Sequence, residues 1–129
     1  MPPSRRKKPS GQEKALLMAR AAMQKKPLAP LLLDVGKFCS FADYFLILSG
    51  NSTRQTQALA DHLEGALSKL GFRSRSREGL ESGHWILLDY DDVIIHIFYE
   101  SARGFYDLEG LWFEAPRIPI IAEPPKGKE

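Results

Sequence analysis

The chain has one cysteine, no long apolar run and no internal repeat among its 129 residues. Each absence removes a class of protein. Cys39 cannot close an internal disulfide, which excludes a cysteine-stapled scaffold and fits a reducing, cytoplasmic setting. A lone cysteine of this kind reads as a small buried hydrophobe rather than a nucleophile. No stretch approaches the roughly 20 apolar residues of a membrane helix, so no membrane association is expected. The basic start MPPSRRKKPS is not followed by an apolar segment, so a secretory signal is not expected either. A phosphate-binding lysine loop and the spaced glycines of a dinucleotide loop are both missing. His62, His84 and His96 stand at spacings that suit no zinc site. No metal or cofactor is therefore expected.

What is present begins with an uneven charge. The net charge is +2, but Arg5, Arg6, Lys7 and Lys8 supply four positive charges, and Lys126, Lys128 and Glu129 add one more. Without those five, residues 11–125 carry −3. Residues 79–109 are more acidic still, with seven acids against Arg103 alone. A domain that reads nucleic acid needs the opposite balance on its working face. A basic protein suits this region better. The leader, 1–10, and EPPKGKE at the other end lack the apolar content to fold, and the tail, 118–129, reads as flexible. The leader could add a secondary contact to ribosomal or other RNA. The single folding domain is expected over 11–117.

The pattern of elements predicts an α/β (α+β) layer: a small mixed sheet with helices mainly on one face. GQEKALLMARAAMQKK (11–26) reads as a helix closed by Pro27, with Ala15, Met18, Ala22 and Met23 as its apolar stripe. LLLDVGKF (31–38) and DYFLILSG (43–50) read as strands, the second apolar enough to be buried on both sides. A helix over 51–71 has Asn51 or Ser52 to cap it, Gly71 to end it, and Leu59, Leu63, Ala66, Leu67 and Leu70 on one face. FRSRSR (72–77) reads as an edge strand whose arginines discourage edge pairing. SARGFYDLEGLWFEAP reads as a turn or short helix ending against Pro116. The helix start near SGNSTRQ (49–55) offers free backbone N–H groups to a phosphate, yet a glycine turn and an ordinary cap explain it as well.

HWILLDYDDVIIHIF (84–98) carries most of the functional information. A two-residue turn at Tyr90-Asp91 sets Asp89 opposite Asp92, Leu87 opposite Ile94 and Trp85 opposite His96. Those six share one face, and Ile86, Leu88, Val93, Ile95 and Ile97 make the other. The aliphatic face is core. Facing carboxylates cannot be buried without a cation, so that end must be wet or matched by a partner. An indole and leucine rimmed by acids has the composition of a protein-interaction hot spot. The competing reading is that Trp85 packs beneath the SARGFYDLEGLW segment. Asp89-Tyr90-Asp91 also spells the DxD by which nucleotidyltransferases place two carboxylates. The alternative function is thus a nucleotidyltransferase-like nucleotide-binding protein using Asp89 and Asp91 with magnesium. Against it, Asp91 falls in the turn and no glycine-serine loop stands about a dozen residues upstream, where that family's resemblance would want it.

DYFLILSGNSTRQTQALAD, then EG…GHWILLDYDDVIIHIF, then ARGFYDLEGLWFEAP together resemble the ribosomal silencing factor (RsfS, Iojap-like) family over residues 12–115. The resemblance implies a nucleotidyltransferase-like fold without the catalytic residues, and no enzyme activity. It implies a translational repressor that binds the large ribosomal subunit through its basic ribosomal protein fourteen. By volume alone such a protein blocks joining of the small subunit when nutrients are scarce, and it is a homodimer when free. The partner-binding residues expected here are Trp85, Leu87, Asp89, Tyr90, Asp91, Asp92, Ile94 and His96. Two departures stand out: the family has glycine where this chain has Asp91, and a basic residue is common where it has Gly110.

Overall fold

The computed structural model of the chain describes residues 11–120. The leader and all but the first residues of the expected tail lie outside the described residues. In chain order the elements are α1 (Gly11–Met23), β1 (Leu28–Asp34), β2 (Tyr44–Gly50), α2 (Thr53–Lys69), β3 (Ser76–Glu78), β4 (Trp85–Tyr90) and β5 (Val93–Tyr99). Two short helices, α3 (Glu100–Tyr106) and α4 (Leu108–Leu111), and a final strand β6 (Arg117–Ile118) complete it. The expected α/β mixed sheet is found. It has six strands in the order β3-β4-β5-β2-β1-β6. Only β2 and β5 pair in parallel, at the centre.

Strand alternation divides the core into two layers. Leu32, Leu46, Leu48, Ile86, Leu88, Tyr90, Val93, Ile95 and Ile97 point to the side where α1 and α2 pack. Leu33, Phe45, Ile47, Ile94 and Phe98 point to the other, beneath Leu108 of α4. β5 is buried along almost its whole length because both layers need it.

Helix ends follow their capping residues. Ser52 caps α2, its side chain accepting from the Gln55 N–H at 3.1 Å, while the Asn51 N–H donates to Oε1 of Gln55 at 2.7 Å. Gly71 sits just past the helix at φ 94, a conformation glycine adopts without a Cβ penalty. α1 stops at Met23, three residues short of the expected end, where Lys26 turns at φ 50.

Three expectations need correction. β1 spans 28–34 rather than 31–38, because the Asp34 carboxylate accepts from the Gly36 N–H and turns the chain there. Leu70, expected on the core face of α2, is 53% exposed, since nothing on α1 reaches over it. The folded chain also runs past 117: Ile118 pairs with Leu32, and Ile118 and Ile120 pack against the core.

Candidate docking site

The β4–β5 hairpin holds the acidic knot, and its register differs from the expected one. Tyr90 pairs with Val93, so the two loop residues are Asp91 and Asp92, and Trp85 lies opposite Phe98, Leu87 opposite His96 and Asp89 opposite Ile94. Two features favour this turn. Val93 is β-branched and suits a strand. Asp91 takes φ 78 as first loop residue, and the Asp89 carboxylate accepts from its N–H at 2.8 Å. The slip is two residues, so side-chain faces are preserved. Trp85, Leu87, Asp89, Ile94 and His96 share a face as expected. Asp92 does not.

The three acids diverge. Asp92 turns toward α1, where its Oδ1 is 2.6 Å from Lys14 Nζ, which also donates to the Tyr90 carbonyl at 2.7 Å. Asp91 pairs with Arg75 of the β3 edge at 2.8 Å, in the open. Asp89 holds the turn. Among the described residues no three His, Cys, Asp or Glu side chains gather closely enough to hold a metal ion. Asp89 and Asp91, the pair a nucleotidyltransferase would aim at magnesium, point to different partners.

Trp85 is not a bare anchor. Its indole stacks against Tyr106 of α3 at 4.6 Å and Phe98 at 5.0 Å between centroids, and its Nε1 donates to Nδ1 of His96 at 3.1 Å. The expected face is therefore roofed in part by α3 and α4, and Trp85 and Leu87 are half-buried. Of the remaining expected contacts, Ile94 and His96 are buried on this face, while Tyr90 is buried on the opposite face under the long helices. Burial raises the Tyr90 hydroxyl to about 12 and lowers His96 to about 3, so His96 is a neutral imidazole. These three cannot meet a partner's side chains in this conformation.

What projects from the roof is a set of side chains the sequence reading missed. Phe105 is 82% exposed, Leu111 74% and Phe113 73%, and Tyr106 against Phe105 is exposed too, as are Phe38 and Phe41 in the loop before β2. Phe105 meets Tyr106 edge-on at 5.2 Å, and Trp112 meets Phe45 at 5.4 Å, so the surface rings continue into the ring cluster around His96. The signal available in the sequence was density: Phe105, Tyr106, Trp112 and Phe113 fall within nine residues. Helical periodicity hid it, because Asp107 takes the left-handed conformation at φ 48 and breaks the segment in two. Its carboxylate then caps α4 at the Gly110 N–H.

A buried arginine holds that roof down. Arg103 Nε and Nη2 each donate to the Glu109 carboxylate at 3.0 Å. Its Nη1 donates to the Ala29 carbonyl at 2.6 Å and to Ser49 Oγ at 2.8 Å. Ala29 sits at φ 45 within a bulge of β1, which aims its carbonyl at the guanidinium. The hydrogen bonds from Arg103 hold the Glu109 carboxyl below the usual range. α3, α4, β1 and β2 are thus joined through one side chain.

Asp89 on β4 and Glu100, Asp107 and Glu114 on or beside α3 and α4 make no ion pair among the described residues. The α3–α4 segment is thus apolar and acidic, with Arg117 as the nearby cation acting on Glu109. Such a surface suits a partner that is itself apolar and basic. No helix among the described residues is long and apolar enough to cross a membrane.

Comparison with known proteins places this architecture. Residues 8–129 match the family model described as "Ribosomal silencing factor during starvation". The chain is 36% identical over 111 residues to a ribosomal silencing factor of Halalkalibacterium halodurans, covering 86% of this chain and 95% of that protein. It is 35% identical over 90 residues to the mouse (Mus musculus) "Mitochondrial assembly of ribosomal large subunit protein 1", covering 64% of this chain and 40% of that protein. The crystal structure of a protein from Chromobacterium violaceum superposes with a TM-score of 0.78 at 30% identity, covering 94% of this chain and all of that one. With the family model spanning the whole described fold, the chain belongs to the ribosomal silencing factor family, ribosome-associated regulators of translation.

Proposed function

We propose that this chain represses translation in the cytoplasm by binding the large ribosomal subunit and excluding the small one. The partner is the basic ribosomal protein fourteen, and the repression operates when nutrients are limiting. The observation that carries this reading is the exposed apolar surface of α3 and α4 with its acidic side chains. Phe105, Tyr106, Leu111 and Phe113 put four large apolar side chains into water within nine residues, a concentration that marks an interaction site. Phe105, Leu111 and Phe113 supply apolar contact, Trp85 stiffens the surface from beneath, and Asp89, Glu100 and Asp107 orient a cationic partner. Occlusion by volume needs no nucleotide and no bond-making step, in keeping with a regulator rather than an enzyme. The mouse relative is named for assembly of the large subunit, which supports that subunit as the target. Off the ribosome, the same apolar surface is covered in a homodimer. The basic leader adds a minor contact to ribosomal RNA.

The test is co-sedimentation of the purified chain with washed large subunits, followed by light scattering as small subunits are added. Stoichiometric pelleting and a suppressed scattering rise are expected. A chain that stays in the supernatant, or that pellets without slowing subunit joining, ends this reading.

A further inference from the structure

The opposite side of the sheet has an opening of its own. α1 and α2 do not close fully against each other, and a groove of about 980 Å³ runs between them. Leu17, Ala21 and Ala66 give it an apolar floor, and Arg20 and Lys69 stand on its walls. A smaller depression of about 630 Å³ continues past Asp61 and His62 to Lys25. His62 bridges the helices at the junction, its Nε2 3.1 Å from the Ala21 carbonyl oxygen. A Cβ added at Gly65 would meet nothing within 4 Å, so a longer side chain there has room to enter the groove. The half-exposed Leu70 closes one end, presenting a leucine to water on what the sequence pattern marks as the apolar face of α2.

The charges on its walls give the groove a chemical preference. Arg20 Nε is shut off from solvent and has no hydrogen-bond partner among the described residues, a state that costs desolvation without return. The charged residues lining the two depressions are Arg20, Lys25 and Lys69 against Asp61 alone. This side of the molecule is cationic where the α3–α4 side is acidic.

We propose that the α1–α2 groove receives an amphipathic helix from a partner protein, with leucine-sized residues on its buried side and acidic residues on its flanks. The apolar floor between two helices is the setting in which an amphipathic helix lays its apolar face. Arg20, Lys25 and Lys69 select carboxylates on the flanks. Single-stranded RNA would want broad aromatic platforms for its bases, and no Phe, Tyr or Trp lines the groove. The lining runs from Leu17 to Gln24 along α1 and from Asp61 to Leu70 along α2, so the groove accommodates about two turns of a visiting helix.

The experiment titrates the isotope-labelled full chain with a synthetic helix of about 18 residues, leucines on one side and glutamates flanking them, while amide signals are followed. Signals of Ala21, Gly65, Ala66 and Lys69 should move, those of Phe105 to Phe113 should not, and binding should saturate in the tens to hundreds of micromolar. Gly65→Leu fills the groove and favours the helix, so it should fold at least as stably and weaken binding about tenfold or more. Lys69→Glu should weaken it in a chain whose groove is otherwise intact. The proposal is overturned if the signals stay still, or if Gly65→Leu binds like the parent. It is equally overturned if a lysine-flanked peptide, a leucine-free acidic peptide or an oligo(U) strand moves the same signals as well. Because the groove lies on the far face of the sheet, failure here leaves the sedimentation result untouched, and the converse holds.

Discussion

Trp85 and His96 share one hydrogen bond, Nε1 to Nδ1 at 3.1 Å, and that bond fixes the proton of the neutral imidazole on Nε2, which is buried without a partner. The ring also sits edge-on to Phe45 at 4.7 Å, in surroundings that solvate a cation poorly. Burial lowers the His96 pKa to about 3, whereas in the unfolded chain it titrates near 6.5. Between those values the unfolded state binds more protons, so stability is full above about pH 6.5 and is lost as pH falls toward 3. Between about pH 7.5 and pH 5 the loss should be about 2 kcal/mol. His96→Phe should flatten that dependence. Urea midpoints of both proteins at the two pH values check it, and equal slopes would refute the assignment.

Arg103 makes a sharper prediction about the roof. It is 9% exposed, and its removal strands the Glu109 carboxylate, the Ala29 carbonyl and Ser49. Breaking a buried pair by deleting one partner costs about 3–5 kcal/mol. Glu109 is part-exposed, so Arg103→Ala should fall near the lower end. Hydrogen exchange should quicken first over Phe105 to Phe113, before α1 and α2 respond. Uniform quickening of all helices would mean that the arginine supports the whole fold rather than the roof.

Asp91 occupies a position with φ 78, and its exposed pair with Arg75 is worth little. Asp91→Gly should therefore leave stability within about 1 kcal/mol of the parent or raise it. Asp91→Val, β-branched at positive φ, should lose about 1–2 kcal/mol. Thermal melts of the two variants decide it, and the idea fails if glycine melts lower than valine.

The hairpin explains why part of the site was legible. Period-two alternation fixed which side chains share a face, and a register error of two residues cannot disturb that parity, so Trp85, Leu87, Asp89 and His96 were grouped correctly. Asp92 was misplaced because its direction is set by Lys14, 78 residues away in the chain. The sheet and the two long helices were legible for the same local reason: alternation, heptad-like spacing, Ser52 and Gly71 all agree. α3 and α4 were not, since helices of 7 and 4 residues have no stability of their own. They exist because Arg103 ties them to β1 and β2, and a contact that bridges residues 29, 49, 103 and 109 has no periodic signature. The exposed rings they carry stayed hidden with them.

The docking face yields the last prediction. Phe105, Leu111 and Phe113 are largely exposed and hold little of the fold together, so a Phe105→Ala, Phe113→Ala double variant should melt as the parent does. If these rings are the apolar contact, large-subunit binding should weaken by about 2 kcal/mol or more, roughly 30-fold. Asp89→Lys should act differently, slowing association and changing its salt dependence more than it changes dissociation. Trp85→Ala should impair both binding and stability, because the indole packs on Tyr106 and Phe98 as well as beneath the surface. Sedimentation of the four proteins with large subunits, read beside their melts, separates these effects. If the double variant still pellets like the parent, the α3–α4 surface is not where the ribosome is met.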